Sequence, residues 1–140
     1  MQSRAALISI HPKHVTKILS GEKRLEFRRK WAAQPVETIL IYSTAPVSQL
    51  VAVAKIHQTI IASPSKLWTM AKKFGGGITR QQLLDYLDGA ESAVGLKLSC
   101  VRKLGKGINP AVIFGRSFRA PQSFRYLSTQ EINQVNKLID

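Results

Sequence analysis

Glu26 and Arg28 stand two residues apart in the run Gly21-Glu22-Lys23-Arg24-Leu25-Glu26-Phe27-Arg28-Arg29, a spacing that can do chemistry. On an extended strand, residues i and i+2 share a face. A carboxylate placed there can grip one edge of a guanidinium fork and leave its other N–H groups free for a phosphate or a base edge. Lys23 lies approximately on the same face and adds a point charge, unless it serves only to satisfy carbonyls at the end of a preceding helix. The competing reading is an exposed strand with ordinary charges, whose ion pairs stabilise little. A second run, Ala120-Pro121-Gln122-Ser123-Phe124-Arg125-Tyr126, flanks a cation with two aromatic rings. Rings and a guanidinium are the usual platform for unstacked bases, and Gln122 and Ser123 can read an edge. Phe124 reads equally well as a core residue.

Other polar residues point to less. His11 and His14 are three apart and His57 is distant, with no acidic cluster beside any of them, so no metal site is expected. Gly75-Gly76-Gly77 and Gly105-Lys106-Gly107 lack the spacing of a nucleotide phosphate loop, and no cofactor is expected. Cys100, the only cysteine, sits in an apolar alternation and reads as a small buried hydrophobe; alone it excludes an internal disulfide. Trp31 offers a stacking face, whereas Trp68 falls on the apolar side of a helix and reads as core.

Elements must hold these residues in place. Ala5 to Ile10 reads as a strand stopped by His11-Pro12. Val15, Ile18 and Leu19 make 12–20 a short amphipathic helix ended by Gly21. Leu25 and Phe27 alternate with Glu26 and Arg28, predicting a strand with one buried and one polar face. Thr38–Thr44 and Gln49–Ile61 read as a strand pair across Ala45-Pro46. Ser63-Pro64 opens a helix carrying Leu67, Trp68 and Ala71, and Thr79 with Gln82 has capping-box spacing for another, joined to it by the glycine triplet as a flexible joint. Ser92–Val101 alternates as a strand, and the stretch with Gly105, Gly107 and Pro110 reads as a loop. Ser128 with Glu131 caps a closing helix whose apolar stripe is Ile132, Val135, Leu138 and Ile139. Four or five strands with interspersed helices, and no regular βαβ alternation, predict an α+β fold: a small mixed β-barrel of about five strands with peripheral helices. At 140 residues and 44% hydrophobic, residues 1–140 form a single domain with one core. No run is long and apolar enough to span a bilayer and the first ten residues are too short for a secretory signal, so a cytoplasmic location is expected.

The net charge is +13, from 21 Lys and Arg against eight Asp and Glu. It is concentrated in two blocks: residues 1–31 carry eight cations against Glu22 and Glu26, and residues 97–125 carry seven with no acid. Brought together, the blocks would make a positive groove for a polyphosphate backbone. RNA is the expected partner. DNA stays open on charge alone, although Arg80 as the sole cation from Thr79 to Leu87 leaves no evident recognition helix. A membrane surface would need a basic amphipathic helix that the sequence lacks.

Gly21-x-Lys23-x-x-Glu26-x-Arg28, followed by Arg29, Lys30 and Trp31, resembles the Gly-x-Lys-x-x-(Glu/Thr)-x-Arg signature of the ASCH family in the PUA-like superfamily. Ile39-Leu40-Ile41-Tyr42-Ser43-Thr44-Ala45-Pro46-Val47 is similar to the family's strand and small-residue turn, and Ala120 to Leu127 to the ending of its stand-alone members. The resemblance implies a PUA-like barrel with a cleft formed by the Gly-x-Lys segment beneath the helix after the first strand. It also implies a role in RNA metabolism: RNA binding, ribonuclease activity, or amide hydrolysis on N4-acylated cytidine. As a binding module, the chain would meet phosphates with Lys23, Arg28, Arg29, Lys30, Arg119 and Arg125. Trp31, Tyr42 and Tyr126 would stack bases, with Ser43 and Gln122 as further contacts. As a metal-independent ribonuclease, Lys23 or Glu26 would move the proton, Arg28 would stabilise the phosphorane, and Tyr42 and Ser123 would position the substrate. As an amidohydrolase, Lys23 would be the activated base and Glu26 would handle the proton. Ser48-Gln49 stands where many members carry a lysine, and Glu26 stands where members associated with amide hydrolysis have threonine.

Overall fold

Short apolar runs broken by Pro and Gly are too brief for long helices, and the chain resolves them into one sheet. The computed structural model describes residues 4–139. The elements run β1 (Arg4–Ile10), α1 (Pro12–Ser20), β2 (Leu25–Arg28), β3 (Val36–Ser43), β4 (Gln49–Ala62), α2 (Pro64–Phe74), α3 (Arg80–Tyr86), β5 (Ala93–Ile108), α4 (Ala111–Phe114), β6 (Phe124–Tyr126) and α5 (Thr129–Ile139). The strands form a single curled sheet, a half-barrel, in the order β2-β5-β4-β3-β1-β6. β1 runs parallel to β3, and the other pairs are antiparallel. The fold is therefore α+β, with six strands instead of about five. The additional one is the three-residue β6, which pairs with β1 through Ile8↔Phe124 and Ala6↔Tyr126.

Alternation along the strands sends side chains to both faces. Ile8, Ile10, Ile39, Ile41, Ala54 and Leu96 pack on one face under Val15 and Ile18 of α1. Leu7, Leu40, Leu50 and Leu104 pack on the other with Val135 of α5. A third cluster joins Leu25 and Phe27 of β2 to Leu67, Ala71, Leu83 and Leu87 of the α2–α3 pair. Caps fall where the sequence puts them. Gly21 ends α1 at φ 86°, Ser63 caps α2, Thr79 and Gln82 form a complete capping box on α3, and Ser128 and Glu131 exchange the same two bonds at α5.

Three expectations are corrected. β5 does not stop near Val101 but continues through Gly105 and Gly107 to Ile108, because β4 is long enough to pair with it as far as Leu50↔Ile108; positive φ at both glycines absorbs the irregularity. Cys100 is exposed: Val53↔Arg102 and Lys55↔Ser99 enclose one residue on β4 and two on β5, a bulge that turns Cys100 out of the alternation at φ 50°. Leu138, expected in the buried stripe of α5, is 41% exposed. Among the described residues no helix is long and apolar enough to cross a membrane.

Candidate functional site

The site begins with how α1 starts and stops. Pro12 presets the first turn, and His11 caps it, its Nδ1 accepting a hydrogen bond from the Lys13 amide at 3.1 Å. Gly21 then reverses the chain, and the Lys23 amide donates back to the Lys17 carbonyl at 3.0 Å, which tucks the lysine under its own helix.

The glycine triplet locks that turn in place, so the flexible joint expected there is instead a tightly packed clamp. The amides of Arg24 and Leu25 donate to the Gly75 carbonyl at 2.7 and 3.2 Å, Lys23 Nζ donates to the Gly76 carbonyl, and Lys17 Nζ to that of Gly77 at 3.0 Å. A Cβ on Gly75 would lie 2.6 Å from the Glu22 carbonyl oxygen, and one on Gly77 would lie 2.9 Å from Lys23 Cβ. Three bare carbonyls at close approach require residues without side chains.

From there β2 carries Leu25 and Phe27 into the third core cluster, and Glu26 and Arg28 project the other way. That other side is not solvent, since α1 and β1 cover it. Lys23, Glu26 and Arg28 are only 2, 6 and 8% exposed, so the polar face expected for this strand is a buried ionic cluster. Glu26 Oε2 accepts from Arg28 Nη2 at 2.9 Å, and Oε1 lies 3.7 Å from Lys23 Nζ. Arg28 Nη2 also donates to the Ser9 carbonyl at 2.7 Å, and Nη1 to Ser123 Oγ at 3.3 Å, while Nε–H is buried with no partner among the described residues. Two cations share one carboxylate, leaving one positive charge in a poorly hydrated place where Coulomb interactions are strong.

Above this floor is a cavity of about 380 Å³, within the range of small-molecule sites. His11, Lys13 and His14 of the α1 region form one wall and Ile78, Gln82 and Tyr86 from around α3 another. Burial lowers the Lys23 pKa from its ordinary value, against an opposing pull from Glu26. Burial, and then the nearby Lys23 charge, lower that of His14, whose Nδ1 is enclosed without a hydrogen-bond partner among the described residues.

Of the residues singled out from sequence, the structure gathers Lys23, Glu26, Arg28 and Ser123. Ser123 reaches them because its carbonyl accepts from the Ser9 amide at 3.1 Å, while Ser9 Oγ donates to the Pro121 carbonyl at 2.7 Å. The remainder stand elsewhere. Arg29 donates to the carbonyls of Tyr86 and Asp88, both at 2.9 Å. Arg125 is paired with Glu131 at 2.9 Å and lies over the Phe114 ring. Trp31 packs against Phe124 with ring centroids 4.8 Å apart, and the Tyr126 hydroxyl accepts from the Gln34 amide. Tyr42 is buried in the α5-side core, edge-on to Phe118, and Ser43 is 1% exposed, its hydroxyl without a partner among the described residues. Lys30, Arg119 and Gln122 are exposed. The two basic blocks meet only in part. The 119–125 segment reaches Arg28 through Ser123, whereas Arg102, Lys103 and Lys106 border a separate concavity between the end of β5 and α5.

Sequence reasoning missed His14 and the glycine clamp. The signal for His14 is its place one turn before Lys17 and Ile18, which puts it on the flank of α1 that covers β2; nothing local in the sequence marks three glycines as a lysine clamp.

A curled mixed sheet with these peripheral helices is a class of fold already known from solved structures. No family model matches the chain. It is 27% identical over 139 residues to an ASCH domain-containing ribonuclease of Zymomonas mobilis, an alignment covering 96% of this chain and 92% of that one. The crystal structure of ASCH from Zymomonas mobilis superposes with a TM-score of 0.87 at 26% identity, covering 98 and 96% of the two chains. Crystal structures of a tyrosine-to-phenylalanine and a serine-to-alanine mutant of the Zymomonas protein match at 0.86 each. A hypothetical protein from Leishmania major, 10% identical with a TM-score of 0.61, shares the fold alone. Over nearly its whole length the chain is thus similar in sequence and in fold to an ASCH domain.

Proposed function

We propose that this ASCH-like domain binds RNA, seating one unstacked nucleotide in the cavity over β2 with its phosphate against Arg28. The observation that carries this reading is the guanidinium itself. Glu26, the Ser9 carbonyl and Ser123 fix its plane, yet its buried Nε–H has no partner among the described residues, and Arg28 lines a cavity with surplus positive charge. An orphaned buried donor is costly unless a ligand satisfies it, and a phosphate oxygen does so with charge assistance. The rest of the RNA would lie over exposed cations such as Lys30 and Arg119. Of the six cations proposed from sequence, Glu131 offsets Arg125 and Glu26 offsets one of the buried pair. About four remain, for a log–log salt slope near −3 on single strands. Fluorescence anisotropy with a short single-stranded RNA across a salt series tests this; affinity that is flat in salt overturns it.

A second reading, that the bound RNA is cut, is favoured by the curated relative's description as a ribonuclease. The tyrosine and the serine altered in its mutants are spaced along that chain as Tyr42 and Ser123 are along this one. Ser123 touches Arg28, which would stabilise the pentavalent phosphorane. Incubating labelled RNA with the protein, with and without divalent ions, tests it; RNA left intact in both overturns it.

A further inference from the structure

We propose that His14 is the proton-transfer residue of the cavity, taking the 2′-hydroxyl proton of the bound ribonucleotide; this rests on the ribonuclease reading. Cleavage through the 2′-hydroxyl needs a group that can accept a proton at neutral pH, and imidazole is the side chain suited to it. Two histidines border the cavity. His11 is committed, since its Nδ1 caps α1 by accepting from the Lys13 amide. His14 is not: its Nδ1 is buried without a hydrogen-bond partner among the described residues, and the wall it belongs to faces the Lys23–Glu26–Arg28 floor. The charged or titratable groups that act on it are Lys23 and Glu26 from the floor and Lys17 and His11 from its own helix. Burial and the cations among these groups keep the ring neutral at pH 7, with a lone pair available.

The step balances without a co-reactant. The 2′-oxygen forms a bond to phosphorus as its proton passes to the imidazole. The bond from phosphorus to the 5′-oxygen breaks, and that oxygen takes a proton from the Lys23 ammonium or from water. Arg28 holds the non-bridging oxygens throughout. The products are a 2′,3′-cyclic phosphate and a 5′-hydroxyl, and solvent returns the ring and the lysine to their starting states.

The test compares wild type with His14→Gln on an RNA oligonucleotide and on the same oligonucleotide carrying one 2′-deoxy sugar at the cleavage site. Wild type should cleave the first, with a rate that falls on acidification. His14→Gln should cleave about 10²–10⁴-fold more slowly, lose the acid limb, and bind the 2′-deoxy oligonucleotide within about threefold of wild type. In wild type, the His14 ring resonances should shift when the 2′-deoxy oligonucleotide binds, a readout that needs no folded variant. A variant that keeps its rate or its acid limb, or ring resonances that do not respond, overturns the role of His14 and leaves the ribonuclease reading standing. Wild type that leaves RNA intact removes that reading and this inference with it.

Discussion

Replacing Glu26 by Gln tests whether the floor of the cavity is a true buried ionic cluster. The substitution keeps the shape of the side chain and removes the only carboxylate between Lys23 and Arg28, whose side chains are 1 and 9% exposed. Arg28 is left as an uncompensated buried charge, a situation that costs about 3–5 kcal/mol. For a chain of this size each kcal/mol moves Tm by roughly 3–4 °C, so the midpoint should fall by about 10–20 °C. Lys23 adds a pH signature. Its pKa in the fold is already below the ordinary lysine value, and Glu26 is what opposes the fall. In Glu26→Gln the folded pKa drops further while the unfolded one is unchanged, so the unfolded chain binds more protons over a wider window beneath the normal lysine range. The stability deficit of the variant must therefore shrink as pH rises from 7 toward 10. Urea unfolding at several pH values reads both effects. The comparator is Glu131→Gln, which breaks the more exposed Arg125 pair but keeps a side chain able to complete the capping box, and should cost no more than about 1 kcal/mol. Equal losses for the two variants, or a deficit at Glu26 that is indifferent to pH, would refute the cluster.

Three further outcomes follow from the same geometry. Gly77→Ala should lose clearly more stability than Gly89→Ala: both stand at positive φ, which costs an alanine about 1–2 kcal/mol, but only the Cβ at 77 meets the Lys23 side chain, and nothing lies within 4 Å at 89. Equal losses in urea would show that the clamp is not tight. Because the fold lowers the His14 pKa, the unfolded chain protonates first as pH falls below about 6.5, so His14 costs stability progressively down to its folded pKa. His14→Gln should therefore lose less stability than wild type between pH 7 and 5, and parallel pH profiles would count against a buried imidazole. Finally, Lys17→Met should raise the His14 pKa measured by NMR, since Lys17 is one of the cations that lower it, and an unchanged value would remove that coupling.

Much of the fold was legible because its punctuation is local. Pro12 and Gly21 delimit α1, Ser63, Thr79 and Ser128 cap three helices, and Ile, Val and Thr runs mark β1, β3 and β4. The strand after Gly21 was legible too, but its burial was not: alternation shows which side chains share a face, and only tertiary packing shows that α1 closes over the polar one. Cys100 and the end of β5 were misread for a related reason, since one bulged residue exchanges inside for outside and a strand partner can override glycines that read as loop. The glycine triplet carries the same composition whether it flexes or clamps, and what decides is the approach of the Lys23 turn from more than fifty residues away. The aromatic residues of the second run were spent on packing, Phe124 against Trp31 and Tyr126 beneath Arg4, while its Ser123 reached the site.

The most direct test of RNA seating on the β2 floor is to compare single-stranded RNA binding by wild type and Arg28→Lys at low salt, with urea unfolding to show that the variant is folded. The substitution keeps the charge and removes the planar fork. The geometry predicts a loss of affinity of about tenfold or more, with the salt slope nearly unchanged. Equal affinity in a folded Arg28→Lys protein would mean that RNA, if bound at all, is held elsewhere on the basic surface.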